Sequence, residues 1–171
     1  MKQKLKEIYP YIIIIIVVLL IKKFLVAPVR VIGPSMTHTL LDGDIMILDK
    51  ISYRFNDIQR FDIIVIQSND SLIIKRVIGL PGDNIEYKNN KLYINNKYYE
   101  ENYLDGDTIT SDFKLEDITK KSTIPEGYYF VLGDNREESS DSRIIGLINK
   151  SQIEGKAKLT IFPFNRIGIK K

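Results

Sequence analysis

Cysteine is absent from the chain. Its absence excludes disulfide scaffolds, Cys-ligated zinc, iron–sulfur clusters and a cysteine nucleophile together. Histidine occurs once, as His38. A single histidine rules out a multi-His metal site and makes a Ser-His-Asp triad hard to build. An excess of one charge is also missing. The 25 Lys and Arg against 22 Asp and Glu leave a net charge of +3, too mild and too scattered to point to nucleic acid. Repeats are missing, and no segment past residue 30 keeps helical periodicity over three turns. What remains is ordinary globular composition, 44% apolar and 27% charged, which excludes intrinsic disorder, collagen and low-complexity sequence. A length of 171 residues suits one domain with a small appendage.

The apolar residues are unevenly spread. Tyr11 to Ile21 reads YIIIIIVVLLI without a charge, inside a stretch from Ile8 to Ala27 broken only by Pro10 and Lys22-Lys23. A membrane helix needs about 20 apolar residues to cross roughly 30 Å of hydrocarbon. The clean run is short for that, but suffices if Lys22 and Lys23 snorkel to one interface and Tyr9 and Tyr11 sit at the other. A buried strand or core helix and a cleaved signal peptide are the competing readings. No small-x-small site directly follows the run, which argues against cleavage. The expectation is an uncleaved N-terminal stub and transmembrane anchor over residues 1–28, followed by a separate domain over 29–171. Lys2, Lys4 and Lys6 before the run nearly balance Lys22, Lys23 and Arg30 after it, so charge barely sets the orientation.

After Pro28 the pattern is that of a mainly β protein. Short β-branched stretches bounded by turn residues run Ile45 to Leu48, Asp62 to Ile66, Leu72 to Leu80, Lys91 to Ile94, Tyr128 to Leu132 and Ala157 to Phe162. Ile85 to Tyr99 predicts a hairpin turning at Asn89-Asn90, with a second turn at Asn95-Asn96. Every connection is short, so the sheet should be mostly antiparallel. Glu100 to Pro125 is polar and poorly patterned, and residues 84–127 are expected to form an insertion.

Four segments have unusual local chemistry: Gly33 to Leu40, Gly43 to Lys50, Ile73 to Asp83 and Gly133 to Arg143. In the first, Ser35 lies in a tight Gly-Pro-Ser context where a loop would expose its hydroxyl. A serine nucleophile needs a base; without one, Ser35 is an ordinary turn serine. In the third, Lys75 lies on a strand apolar on both faces and shares a face with Ile73 and Val77. Burial there would lower its pKa and free a neutral amine for base catalysis. The alternative is that Lys75 snorkels to solvent, with Arg76 doing likewise on the other face. The fourth segment is either a solvated loop of weak salt bridges or a set of serines and an Asp–Arg pair that brace the lysine.

Taken together and in this order, behind an apolar N-terminus, the segments resemble the bacterial type I signal peptidases, in particular the short Gram-positive members. Ser35-Met36-Thr37-His38-Thr39-Leu40 matches the family's S-M-x-P-T-L except at one position. Lys75 to Asp83 matches K-R-V-x-G-x-P-G-D, and Gly133 to Arg143 matches G-D-N-R-x-x-S-x-D-S-R in full. The resemblance implies a membrane-anchored serine endopeptidase with Ser35 as nucleophile and Lys75 as general base. It implies Ser139 as hydrogen-bond partner of the lysine ammonium, and Asp141 and Arg143 as a buried bracing pair. Met36 would pack at the binding cleft. The oxyanion hole would use the Ser35 backbone N–H, and Gly33 stands where some relatives place a further donating hydroxyl.

The implied substrates are secretory preproteins cut after small residues at Ala-x-Ala sites, bound as extended strands. No metal or cofactor is required. The implied partners are the lipid bilayer and the preproteins, with no nucleic acid. The implied location is the cell membrane, single-pass, with the N-terminus cytoplasmic and the catalytic domain extracellular. His38 departs from the family's proline, which would lock φ near −65°. It reads as a tolerated loop substitution, as an assisting base, or as a mark of impaired or specialised activity. Two other classes stay open: a non-enzymatic anchored β scaffold, and a self-cleaving repressor. Against the first, both dyad residues are present; against the second, an apolar run stands where a DNA-binding helix-turn-helix would be needed.

Overall fold

The computed structural model describes residues 2–68 and 71–170; the side chains of residues 2–7 and 20–24 lie outside the described set. Those side chains include Lys2, Lys4, Lys6, Lys22 and Lys23, on which the expected snorkelling and orientation depend.

The apolar run forms helix α1, Lys2–Phe24, with Pro10 inside it. Every side chain from Ile8 to Leu19 is exposed. Among the described residues, no helix is long and apolar enough to cross a membrane. The stretch from Ile8 to Ala27 divides in two. The helix stops at Phe24, and Val26 and Ala27 enter strand β1, Val26–Arg30, which pairs antiparallel with β2, Ile45–Asp49. Pro28 can sit in β1 because β1 is an edge strand, where a missing N–H costs little.

The main sheet adds β3 (Ile63–Ser68), β4 (Ser71–Gly79), β9 (Tyr128–Leu132), β10 (Ile148–Asn149), β11 (Ile153–Phe162) and β12 (Gly168–Ile169). Its order is β1-β2-β11-β3-β4-β9-β10, with β12 on β11, and every pairing is antiparallel as expected. β11 is not a neighbour in sequence, yet it fills the gap between β2 and β3. It also begins earlier than the expected Ala157. Glu154, Gly155 and Lys156 hide it, because the register shifts at Gly155 and interrupts the alternation.

A second sheet, in the order β7-β6-β5-β8, comprises β5 (Ile85–Lys88), β6 (Lys91–Ile94), β7 (Lys97–Tyr99) and β8 (Phe113–Lys114). Its two turns form where expected. Asn89 and Asn90 have φ of 51° and 59°, and Asn95 and Asn96 have 51° and 64°. Two successive positive-φ residues are what a two-residue hairpin requires, and asparagine tolerates that region. Residues 100–125 are more ordered than their composition suggests. They supply β8 and the short helix α2, Leu115–Thr119, and they bury Thr110, Leu115 and Ile124. Each buried residue there acts singly, so no periodicity announces it.

The core lies under the main sheet and between the two sheets. One cluster joins Val29, Val31, Met46 and Leu48 with Met36 and Leu40. Another joins Ile78 and Phe130 of the main sheet with Ile85, Tyr87 and Leu92 of the second. Burial of such side chains, worth about 1.5–3 kcal/mol each, makes one framework of the sheets that carry Lys75 and the Gly133–Arg143 segment.

Candidate active site

Lys75 sits mid-strand in β4, opposite Ile64 of β3. It is 3% exposed, so the snorkelling alternative does not hold. Its Nζ donates a hydrogen bond to Ser35 Oγ at 2.7 Å. Burial pushes the lysine below its ordinary pKa, and the Asp141 and Asp134 carboxylates only partly oppose that shift.

Ser35 is half-buried on the loop between β1 and β2. Gly33 takes φ of 83°, a value that favours glycine, and its N–H donates to Asp42 Oδ1 at 2.9 Å. Thr37 N–H bonds Pro34 O at 2.9 Å, and Leu40 N–H bonds Met36 O at 2.8 Å. Met36 packs beneath the serine loop. It is 1% exposed within the core cluster and holds the serine loop down.

The Gly133–Arg143 segment closes over the same loop. Asn135 N–H donates to Ser35 O at 3.1 Å, and Asn135 Nδ2 donates to Pro34 O at 3.2 Å. Gly133 is pressed between them: a Cβ there would lie 2.4 Å from Ser35 O and 2.2 Å from Ser139 Oγ. Asp141 is fully buried and accepts from Arg143 Nε and Nη2, both at 2.8 Å, and from Gly133 N–H at 3.1 Å. Burial opposes ionisation of Asp141, but the Arg143 bonds and charge and the Gly133 N–H outweigh it and hold the carboxyl below its ordinary range. Ser139 departs from its expected role. Its Oγ is buried against Gly133 beside the Asp141 carboxyl, which it helps to hold ionised, and the lysine bonds Ser35 instead.

Three further groups escaped the sequence reading. Arg76 does not reach solvent; it is fully buried, bonded to Asp134 through Nε at 2.8 Å and Nη2 at 2.6 Å, with its guanidinium 3.9 Å from the Tyr103 ring centre. Thr39 Oγ1 donates to the same Asp134 carboxylate at 2.5 Å. Arg136 is also buried and bonds Glu101 Oε1 at 2.6 Å, Tyr87 Oη at 2.7 Å and Thr110 Oγ1 at 2.9 Å. The one available signal was that Arg76 lies on a strand with no polar face. His38 has φ of 82° and pairs through Nδ1 with Asp105. Among the described residues, no group of three or more His, Cys, Asp or Glu is placed to hold a metal ion.

A half-buried serine bonded to a desolvated lysine is suited to acyl transfer. The comparisons agree. Residues 5–162 match the family described as signal peptidase, peptidase S26. The chain is 42% identical over 174 residues to Signal peptidase I of Bacillus caldolyticus, covering 96% of this chain and 95% of the relative. It is 39% identical over 176 residues to Signal peptidase IB of Staphylococcus aureus, covering 96% and 92%. A crystal structure of a signal peptidase I from Enterococcus faecalis superposes with a TM-score of 0.54 at 42% identity, over 59% of this chain and 97% of that one. The chain therefore belongs to the peptidase S26 family of signal peptidases.

Proposed function

We propose that this signal peptidase cleaves secretory preproteins through a Ser35–Lys75 dyad. The observation that carries the assignment is the 2.7 Å contact between Lys75 Nζ and Ser35 Oγ, with the lysine buried and its pKa lowered. Once neutral, Nζ accepts the hydroxyl proton while Oγ attacks the carbonyl that follows a small residue. The Ser35 N–H receives the developing oxyanion, and Gly33 adds no side-chain donor. Lys75 returns the proton to the leaving amine, and an acyl-enzyme remains. Lys75 then deprotonates a water that hydrolyses the ester. Asp141 and Arg143 brace the Gly133 backbone against the dyad. The substrate binds as an extended strand, with small side chains at alternate positions filling shallow pockets.

α1 acts as the membrane anchor, with the N-terminus cytoplasmic and residues 29–171 outside. Its support is the unbroken exposure of apolar side chains from Ile8 to Leu19, a surface that water disfavours and a bilayer accepts.

The test uses a preprotein with an Ala-x-Ala site, the full chain in liposomes, and mass spectrometry of the products. Cleavage after the second alanine is expected for the wild type and is lost in Ser35→Ala and Lys75→Ala. Retention of cleavage by Lys75→Ala would remove it as the base. Carbonate extraction tests the anchor separately: the chain should stay with the membrane pellet, whereas a truncation starting at residue 26 should be less firmly held.

A further inference from the structure

His38 stands between the nucleophile and Thr39, where the family pattern has proline. Its φ of 82° is closed to proline, whose ring holds φ near −65°. A non-glycine residue in this region stores strain, and surrounding contacts must hold it there. One side of the turn is held through Thr39. Thr39 is tied to Asp134, and through it to Arg76, the neighbour of Lys75. The other tie comes from a different segment: the His38 imidazole meets the Asp105 carboxylate. Asp105 belongs to the 100–110 segment, itself fastened to the Gly133–Arg143 box where Glu101 and Thr110 bond Arg136. His38 and Asp105 line one side of a small cavity of about 180 Å³, shared with Asp107, Asn135, Arg136 and Glu137. Asn135 in its lining is the residue that bonds the Ser35 and Pro34 carbonyls.

We propose that His38 is a positioning residue whose pairing with Asp105 pins the left-handed turn after Ser35, so that the hydroxyl stays in register with Lys75. The inference deepens the dyad assignment and rests on it. His38 does not act as the base: its ring is committed to Asp105, and Lys75 already contacts Ser35. The 100–110 segment, outside all the family boxes, becomes part of the apparatus that orients the nucleophile. A sequence with proline at this position has no side chain to make the tie, so the device belongs to chains that carry a charged or polar side chain there.

A charge swap tests this. Aspartate tolerates positive φ, so His38→Asp keeps the turn while setting two carboxylates face to face. Asp105→Lys removes the pair from the other side, and the double variant restores attraction with its sign reversed. Both side chains are about half exposed, so each single variant should still fold, checked by an unchanged Tm. Each single change should lower kcat by about threefold to fivefold with KM little altered, because a pair of this exposure is worth at most about a factor of five. The double variant should recover to within about twofold of wild type. His38→Pro should fall further, since the turn cannot keep its φ.

The inference is overturned if the double variant is as slow as His38→Asp, if KM moves while kcat does not, or if His38→Pro raises activity. Ser35→Ala and Lys75→Ala run alongside separate the two readings. If they keep cleaving, the dyad itself is wrong; if they are dead while the swap fails to rescue, only the role of His38 is wrong.

Discussion

Arg76 and Asp134 face each other inside the protein through two hydrogen bonds, at 2.8 and 2.6 Å, with side-chain exposures of 0% and 1%. The pair joins the strand that carries Lys75 to the segment that covers Ser35, and Thr39 of the serine loop shares its carboxylate. A buried pair is weak support for stability in itself, but losing one partner leaves the other charged and unsolvated.

Asp134→Ala should therefore destabilise the fold by about 3–5 kcal/mol, measured by urea unfolding of the full chain in detergent. Arg76→Met combined with Asp134→Leu should recover most of that loss while activity stays low, because Thr39 has lost its acceptor. A cost below about 1 kcal/mol for Asp134→Ala would mean that water reaches Arg76.

Gly133→Ala places a methyl group 2.4 Å from the Ser35 carbonyl oxygen. The serine loop must move, and a displacement near 1 Å costs about a hundredfold in rate. Adding Ser139→Gly removes the clash with Ser139 but not the one with the Ser35 backbone. Activity in the double variant should thus stay low, and full recovery would show that Ser139 alone makes the site tight.

The pH dependence follows from Lys75. Only the neutral amine accepts the serine proton, so kcat/KM should rise with pH along a limb below the ordinary lysine range, the direction burial dictates. The Asp141 carboxylate favours the ammonium and so raises the lysine's pKa. Asp141→Asn should consequently move the limb to lower pH, even as the loosened site slows the maximal rate. A limb that moves up, or stays put, would remove Asp141 from the electrostatics of the base.

Arg136 fastens residues 100–110 to the catalytic segment through Glu101, Tyr87 and Thr110. Arg136→Ala should cost about 3–5 kcal/mol, because Glu101 keeps its charge in a site with little water. Hydrogen exchange should show residues 100–110 opening before the main sheet does. Uniform loosening of both would mean that the segment and the sheet form one cooperative unit.

What the sequence determined by itself was local. The asparagine pairs had to form tight turns because few other residues accept two successive positive φ values. The alternation around Lys75 placed it among apolar neighbours, and the three ordered boxes identified the chemistry. Tertiary structure decided which polar groups lose contact with water. Nothing within a few residues of Arg136 announces a buried guanidinium, and for Arg76 the apolar strand around it is the one local sign; each is buried because a carboxylate far along the chain, Asp134 or Glu101, arrives to pair with it. The same holds for Met36, drawn into the core by strands on both sides of its loop, and for Ser139, packed onto Gly133. β11 joins the sheet centre because β2 and β3 leave a gap that only a distant strand can fill. Periodicity and turn geometry act over a few bonds, whereas desolvation is set by whatever packs on top, and that partner comes from elsewhere in the chain.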